Sequence, residues 1–199
     1  VMLLKEEEKK HDVDLLKPFD LTTLSFLQRH LQRIPRQIIH IAYQRASVII
    51  PLCNVNGIPS ILFERRSETV RTHKLEVCFP GGMVSPDDSN IIETSLREMH
   101  EELNIPSVNT QVLGVLRCNW SEVATLTGIS VTPIIGYIGN IEDLVLIPNN
   151  EVDKWFTVPL YDLYNDKLWE YPTSSTPVYH GAPYVIWGLT GYLLHKFLK

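Results

Sequence analysis

Alternation and helical spacing divide the chain into strands and helices separated by turn residues. Ala46 to Cys53 and Ile58 to Arg65 are apolar or β-branched runs that flank Asn54-Val55-Asn56-Gly57, a pattern that predicts a β-hairpin. Thr110 to Arg117, Ile129 to Ile138 and Trp155 to Pro159 read as further strands, with Ser174 to Tyr179 as a minor one. Leu24, Phe26, Leu27 and Leu31 recur at helical spacing and predict a short helix over Thr22 to Gln32. Ile92, Leu96, Met99 and Leu103, at steps of four, three and four, predict a longer helix over 90–104 with one buried stripe and its acids turned away from the core. A last helix is expected over 184–197, so helices cover a mixed sheet on both faces in an α/β/α sandwich.

The ends of the 90–104 helix are marked. Asn90 followed three residues later by Glu93 is a capping box, and Pro86-Asp87-Asp88 is a turn before it. Asn104 suits the left-handed position that closes a helix, and Pro106 prevents continuation.

Length and charge narrow the classes. With 199 residues, 44% of them hydrophobic, the chain can bury one substantial core, organised as an N-terminal helical extension over 1–45 and a single domain over 46–199. Residues 1–18 are charged and expected to be loose. A net charge of -5 argues against a general nucleic-acid binder. Cys53, Cys78 and Cys118 have no metal-like spacing and read as reduced thiols. No apolar run is long enough to span a membrane, and Val1 to Glu8 is too acidic for a secretory or mitochondrial leader. The cytosol is the default compartment, with a mitochondrial or peroxisomal location left open, and the molecule is expected to be a monomer or a homodimer.

Arg97-Glu98-Met99-His100-Glu101-Glu102 carries the candidate chemistry. On a helix Glu98 and Glu102 stack one above the other with Glu101 one step round, so three carboxylates are expected to converge on one small volume. Hard oxygen donors of this kind favour Mg²⁺ or Mn²⁺. Arg97 is four residues from both Glu93 and Glu101 and can pair with either, orienting a ligand. An acidic helical face is ordinarily only a solvated face. Two neighbours change that reading: Gly81-Gly82 offers a backbone that a ligand can approach closely, and Arg65, Arg66, Arg71, His73 and Lys74 place positive charge just upstream, as an anionic substrate requires.

Gly82 to Ile105, with Arg97-Glu98-Met99-His100-Glu101-Glu102-Leu103-Asn104-Ile105, resembles the Nudix box, G-x(5)-E-x(7)-R-E-U-x-E-E-x-G-U with U apolar. Asp88 stands at the first glutamate, one extra residue separates it from Arg97, and Asn104 replaces the late glycine. The extra residue is similar to the coenzyme A pyrophosphatase branch. That branch carries L-L-T-x-R-S-x(3)-R-x(3)-G-x(3)-F-P-G-G upstream, and here Leu62-Phe63-Glu64-Arg65-Arg66-Ser67, Arg71 and Phe79-Pro80-Gly81-Gly82 keep every spacing, with Glu64 in place of threonine and Leu75 in place of glycine. The resemblance covers roughly Ser47 to the C terminus, and Tyr184 to Thr190 also look like the closing helix of the branch.

The resemblance implies a Nudix-type α/β/α sandwich and metal-dependent hydrolysis of coenzyme A or acyl-coenzyme A to 3′,5′-ADP and 4′-phosphopantetheine or its acylated form. Glu98, Glu101 and Glu102 are the expected metal ligands, with the Gly82 carbonyl as a further oxygen, and one of these glutamates or Glu151 activates the water. Arg66 and Arg71 are the expected phosphate contacts, with Lys74, Phe79 and Gly81 also on the substrate side. Trp120, Trp187 and Tyr184 suit either stacking on the substrate or packing in the core. Two other functions use the same residues: a Nudix pyrophosphatase for ADP-ribose, NADH or dinucleoside polyphosphates, and a non-catalytic nucleotide-binding module. Intact Glu98, Glu101 and Glu102 argue against the second.

Overall fold

The hairpin that opens the sheet turns on two residues. In the computed structural model, which describes residues 14–31, 44–118 and 127–199, Asn56 and Gly57 both take positive φ, 48° and 80°, and join β1 (Arg45–Val55) to β2 (Ile58–Arg66). A two-residue turn with both residues left-handed matches the twist of antiparallel strands.

β1 and β2 pair directly only over Leu52–Val55 and Ile58–Ile61, then diverge. The opening is filled by two short strands that periodicity does not reveal: β3 (Val77–Cys78) pairs with β2, and β4 (Gly81–Met83) pairs with β1. β5 (Gln111–Val115), β6 (Ser130–Asn140) and β7 (Val152–Pro159) complete a seven-stranded sheet. β6 runs parallel to β1 and the other pairings are antiparallel, so the sheet is mixed.

Alternate residues of the strands feed two cores. On one face Ile49, Cys53, Leu62, Ile134 and Ile138 pack against Met99 and Leu103 of α2 (Ile91–Leu103). On the other, Ile50, Leu52, Ile61 and Phe63 pack with Leu24 of α1 (Leu21–His30), Leu160 and Leu163 of α3 (Leu160–Leu163), and Leu193 and Leu194 of α4 (Gly188–Phe197). The expected α/β/α sandwich is therefore present.

Several boundaries differ from expectation. The last helix begins at Gly188 rather than 184, because Ile186 is buried and exchanges both backbone hydrogen bonds with Tyr179, which holds that stretch extended. The strand expected over Ser174 to Tyr179 shrinks to β9 (Val178–Tyr179), paired with β8 (Trp169–Glu170). Helix α1 starts at Leu21, where the Asp20 carboxylate accepts from the Thr23 amide. Gln32, residues 1–13 of the expected loose segment and Trp120 lie outside the described residues.

Besides the packing of Phe19 and Leu24, the N-terminal segment is tied to the sheet by the hydrogen bonds of a buried side chain. Asn54 accepts from the Phe19 amide at 2.8 Å and donates to the Phe19 carbonyl at 3.2 Å and the Tyr137 hydroxyl at 3.0 Å. Asn54→Ala leaves both backbone groups of Phe19 unpaired in a dry site. It is expected to cost about 2–4 kcal/mol, read as a lower urea midpoint with an unchanged slope.

Candidate active site

Helix α2 is closed at both ends by asparagine. The Asn90 side chain accepts from the amides of Ile92 and Glu93, each at 3.0 Å, and Asn104 takes φ 61° at the C-cap. The capping box is only half made, because the Glu93 carboxylate accepts from Ser89 rather than from the Asn90 amide.

The acids of this helix do not all face solvent. Glu102 is 3% exposed and accepts from the Gly81 amide at 3.0 Å, whereas the Glu101 side chain is 53% exposed. The burial stripe runs through Ile91, Thr94, Ser95, Met99, Glu102 and Leu103, leaving Ile92 and Leu96 only partly covered. Thr94 and Ser95 are small and fully buried, so the helix sits close to the sheet and turns the Glu98–Glu102 edge toward β4. The structure thus brings two carboxylates to the glycine strand, not three.

Gly81 and Gly82 make that approach possible. A Cβ at Gly81 would overlap the Ser47 carbonyl oxygen and Val48, and one at Gly82 would overlap the Glu98 carboxylate. Backbone and acid are therefore in direct contact.

Arg97 and Asp88 brace this edge. Asp88 accepts from Arg97 Nε at 2.9 Å and Nη2 at 3.1 Å, and from the Ser85 amide and the Thr94 hydroxyl, each at 2.8 Å. The Arg97 hydrogen bonds lead in holding the Asp88 carboxyl down at about 2, and Asp88 in turn pushes Arg97 up. Arg97 Nη1 lies 2.9 Å from Glu98 and 3.3 Å from Glu101, so one cationic nitrogen already gathers those two carboxylates. The alternative partner Glu93 is committed to Ser89.

Beneath the edge lies an acid that helical spacing does not reveal. Glu64, in β2, is 1% exposed and within hydrogen-bonding reach of Glu102. Burial holds Glu64, Glu98 and Glu102 above the usual carboxylate range, and the Glu64 charge adds to the effect on Glu102. Burial also pushes up the Cys78 thiol, which donates to Glu64 at 3.3 Å. The available signal was strand alternation, which puts Leu62, Glu64 and Arg66 on one face.

The remaining candidates divide into those at the site and those away from it. The Glu102 and Leu103 carbonyls accept from the Asn149 and Ile147 amides, and the Ser67 amide donates to the Glu151 carbonyl at 2.7 Å. These contacts hold Glu151 near enough for its charge to act on Glu64 and Glu98. A cavity of about 1260 Å³ is lined by Arg66, Phe79, Gly81, Gly82 and Trp187 among others. Arg66 Nε is buried there with no partner among the described residues. Phe79 is a core residue that stacks on Phe63, with ring centroids 5.1 Å apart.

Tyr184 lies apart from this cavity lining. Arg65 covers its ring at 4.2 Å and pairs with Asp153 at 3.1 Å, a structural role for both residues. Arg71 and Lys74 are exposed on the loop after β2 and do not line the cavity. In that loop Leu75 adopts φ 60°, so it holds the left-handed conformation for which glycine is suited.

Carboxylate oxygens such as those of Glu98, Glu101 and Glu102 are hard donors of the kind that could hold a divalent cation. Among the described residues no three acidic, histidine or cysteine side chains already stand at ligand geometry. Glu102 is turned to Gly81 and Glu101 to Arg97. An unpartnered buried oxygen, Oε2 of Glu64, is nevertheless left among these acids.

Asp88→Asn tests the brace. Its loss is expected to cost about 1.5–3 kcal/mol at neutral pH. Because the Asp88 pKa is about 2 in the folded protein against an ordinary 3.8, its contribution is full above 3.8 and fades as pH falls through 2. Urea midpoints of the two proteins should therefore converge on acidification.

Residues 43–177 match the NUDIX domain family model. The chain is 35% identical over 175 residues to Nudix hydrolase 3 of Caenorhabditis elegans, covering 76% of this chain and 71% of that protein. It is 36% identical over 165 residues to the mitochondrial coenzyme A diphosphatase NUDT8 of Mus musculus, covering 77% of this chain and 76% of that protein. Among solved structures, a MutT/nudix family protein from Enterococcus faecalis matches with a TM-score of 0.50 at 14% identity, over 89% of this chain and 68% of that one, a likeness of fold alone. With the family match running through the hairpin, the glycine strand and the acidic helix, the chain belongs to the Nudix family of hydrolases.

Proposed function

We propose that this Nudix pyrophosphatase hydrolyses the diphosphate bond of coenzyme A or acyl-coenzyme A, giving 3′,5′-ADP and 4′-phosphopantetheine or its acylated form. The observation that carries the reading is Arg66, whose buried Nε has no partner among the described residues and which lines the same cavity as Gly81 and Gly82. A guanidinium so presented suits a phosphate oxygen. Arg66-Ser67, Arg71 and Phe79-Pro80-Gly81-Gly82 keep the spacing of the coenzyme A pyrophosphatase signature, and a relative at 36% identity bears the name coenzyme A diphosphatase.

Nudix hydrolases generally need a divalent cation such as Mg²⁺ or Mn²⁺. When bound, the cation would disperse charge on the non-bridging phosphate oxygens. The residues assigned to hold it are Glu98, Glu101 and Glu102, with the Gly82 carbonyl as a further oxygen. Arg97 keeps Glu98 and Glu101 together, and Asp88 keeps Arg97 in place. Arg66 binds and orients the diphosphate, with Arg71 and Lys74 at the loop as outer phosphate contacts. Glu151 or one of the three helix glutamates accepts the proton of the attacking water. The hydrolase unit is assigned to 46–199, with 1–45 as an N-terminal extension.

Incubation with Mg²⁺ or Mn²⁺ and a panel of coenzyme A, acyl-coenzyme A, ADP-ribose, NADH and dinucleoside polyphosphates, followed by separation of products, tests the substrate. The expected outcome is 3′,5′-ADP from coenzyme A or its acyl derivative in preference to products from the others. Intact coenzyme A beside a cleaved alternative would contradict the assignment.

A further inference from the structure

Glu64 lies on the same face of β2 as Leu62, which packs in the core with Met99 and Leu103 of α2. Its neighbours across the sheet are Cys78 in β3 and Trp155 in β7, so the side chain rises from the middle of paired strands. It is 1% exposed. Its Oε1 accepts the Cys78 thiol at 3.3 Å, while its Oε2 has no partner among the described residues.

The group within hydrogen-bonding reach of this carboxylate is a second carboxylate, Glu102. Glu102 Oε2 takes the Gly81 amide, and of the other charges that act on it Glu64 and Glu98 are acidic and only Arg66 is basic. A buried pair of carboxylates is satisfied by a shared proton or by a cation, and the one basic charge acting on both, Arg66, offsets only one of the two acids. In the branch signature that the rest of this segment resembles, the position holds threonine, whose hydroxyl brings no charge. This chain has therefore placed one more acid under the acidic edge of α2, where a divalent cation satisfies oxygen acceptors that the protein's own donors leave free.

We propose that Glu64 is a further carboxylate ligand of the divalent-cation site, reaching it from β2 while Glu98 and Glu102 reach it from α2. The inference rests on the assignment of Glu98 and Glu102 as cation ligands. Residue 64 then couples the sheet to the cation, and the substitution of glutamate for threonine adds charge to the site.

The test is Mn²⁺ binding to metal-free protein, followed by the electron paramagnetic resonance of free Mn²⁺, together with thermal melts with and without Mn²⁺. Wild type is compared with Glu64→Gln and Glu64→Thr. Both variants are expected to bind Mn²⁺ at least about tenfold more weakly or to hold one ion fewer. Their metal-free Tm should equal or exceed that of wild type, since a buried acid has been removed, and the rise in Tm on adding Mn²⁺ should shrink. Glu64→Gln keeps the shape of the side chain, so a folding defect confined to Glu64→Thr leaves the comparison intact.

Unchanged Mn²⁺ affinity and stoichiometry in the folded variants would overturn the proposal, and a lower metal-free Tm with unchanged Mn²⁺ binding would make Glu64 merely structural. A wild type that binds no Mn²⁺ would instead overturn the assignment of α2 itself.

Discussion

The contact between a backbone without side chains and a helix edge with acids governs this molecule. Gly81 can lie against Ser47 and Val48 only because it has no Cβ, and Gly82 meets Glu98 for the same reason. Once β4 is there, its Gly81 amide supplies the donor that lets Glu102 be buried. Strand and helix therefore specify each other: either glycine replaced by a larger residue would push β4 off β1 or α2 off β4. The splaying of β1 from β2, which opens the slot for β3 and β4, is the topological counterpart of that contact.

The electrostatic consequence is a charge pattern arranged in depth. Arg97 is committed at the outer rim, spread over Asp88, Glu98 and Glu101. Below it Glu98, Glu102 and Glu64 are progressively drier, and each is held above the usual carboxylate range mainly by burial. Burying acids without balancing charge is costly. Family membership supplies the reason for tolerating it, since a Nudix hydrolase works with a divalent cation. With these acids as the proposed cation ligands, the stability of the metal-free fold and affinity for the cation would pull in opposite directions.

Local chemistry was readable where a residue type has one physical use. Asn56-Gly57 announces the hairpin because both positions need positive φ, and Asn90 and Asn104 announce the limits of α2 as caps. The α/β/α architecture followed from the periods of the runs between such markers. The direction of the acids did not. Glu98 and Glu102 recur at the same spacing as a solvated face, and the stripe of Ile92, Leu96, Met99 and Leu103 looked like the better core. The small buried pair Thr94 and Ser95 rotates the contact, which depends on how close the sheet can come and hence on partners in β4.

Glu64 and Tyr184 fail for the same reason from opposite sides. Glu64 is polar but lies in a strand buried on both faces, and only the approach of Glu102 gives it chemistry. Tyr184 is aromatic near a conspicuous motif, yet Arg65 and Phe156 claim its ring. The acid in contact with Gly82, Glu98, is the residue on which the proposed cation site depends most directly. Initial rates of diphosphate cleavage by folded wild type and Glu98→Gln, measured across a Mg²⁺ titration, give the decisive comparison. The expected result is a fall in kcat of at least about a thousandfold that added Mg²⁺ does not restore. Turnover within about tenfold of wild type, with the same Mg²⁺ dependence, would contradict it.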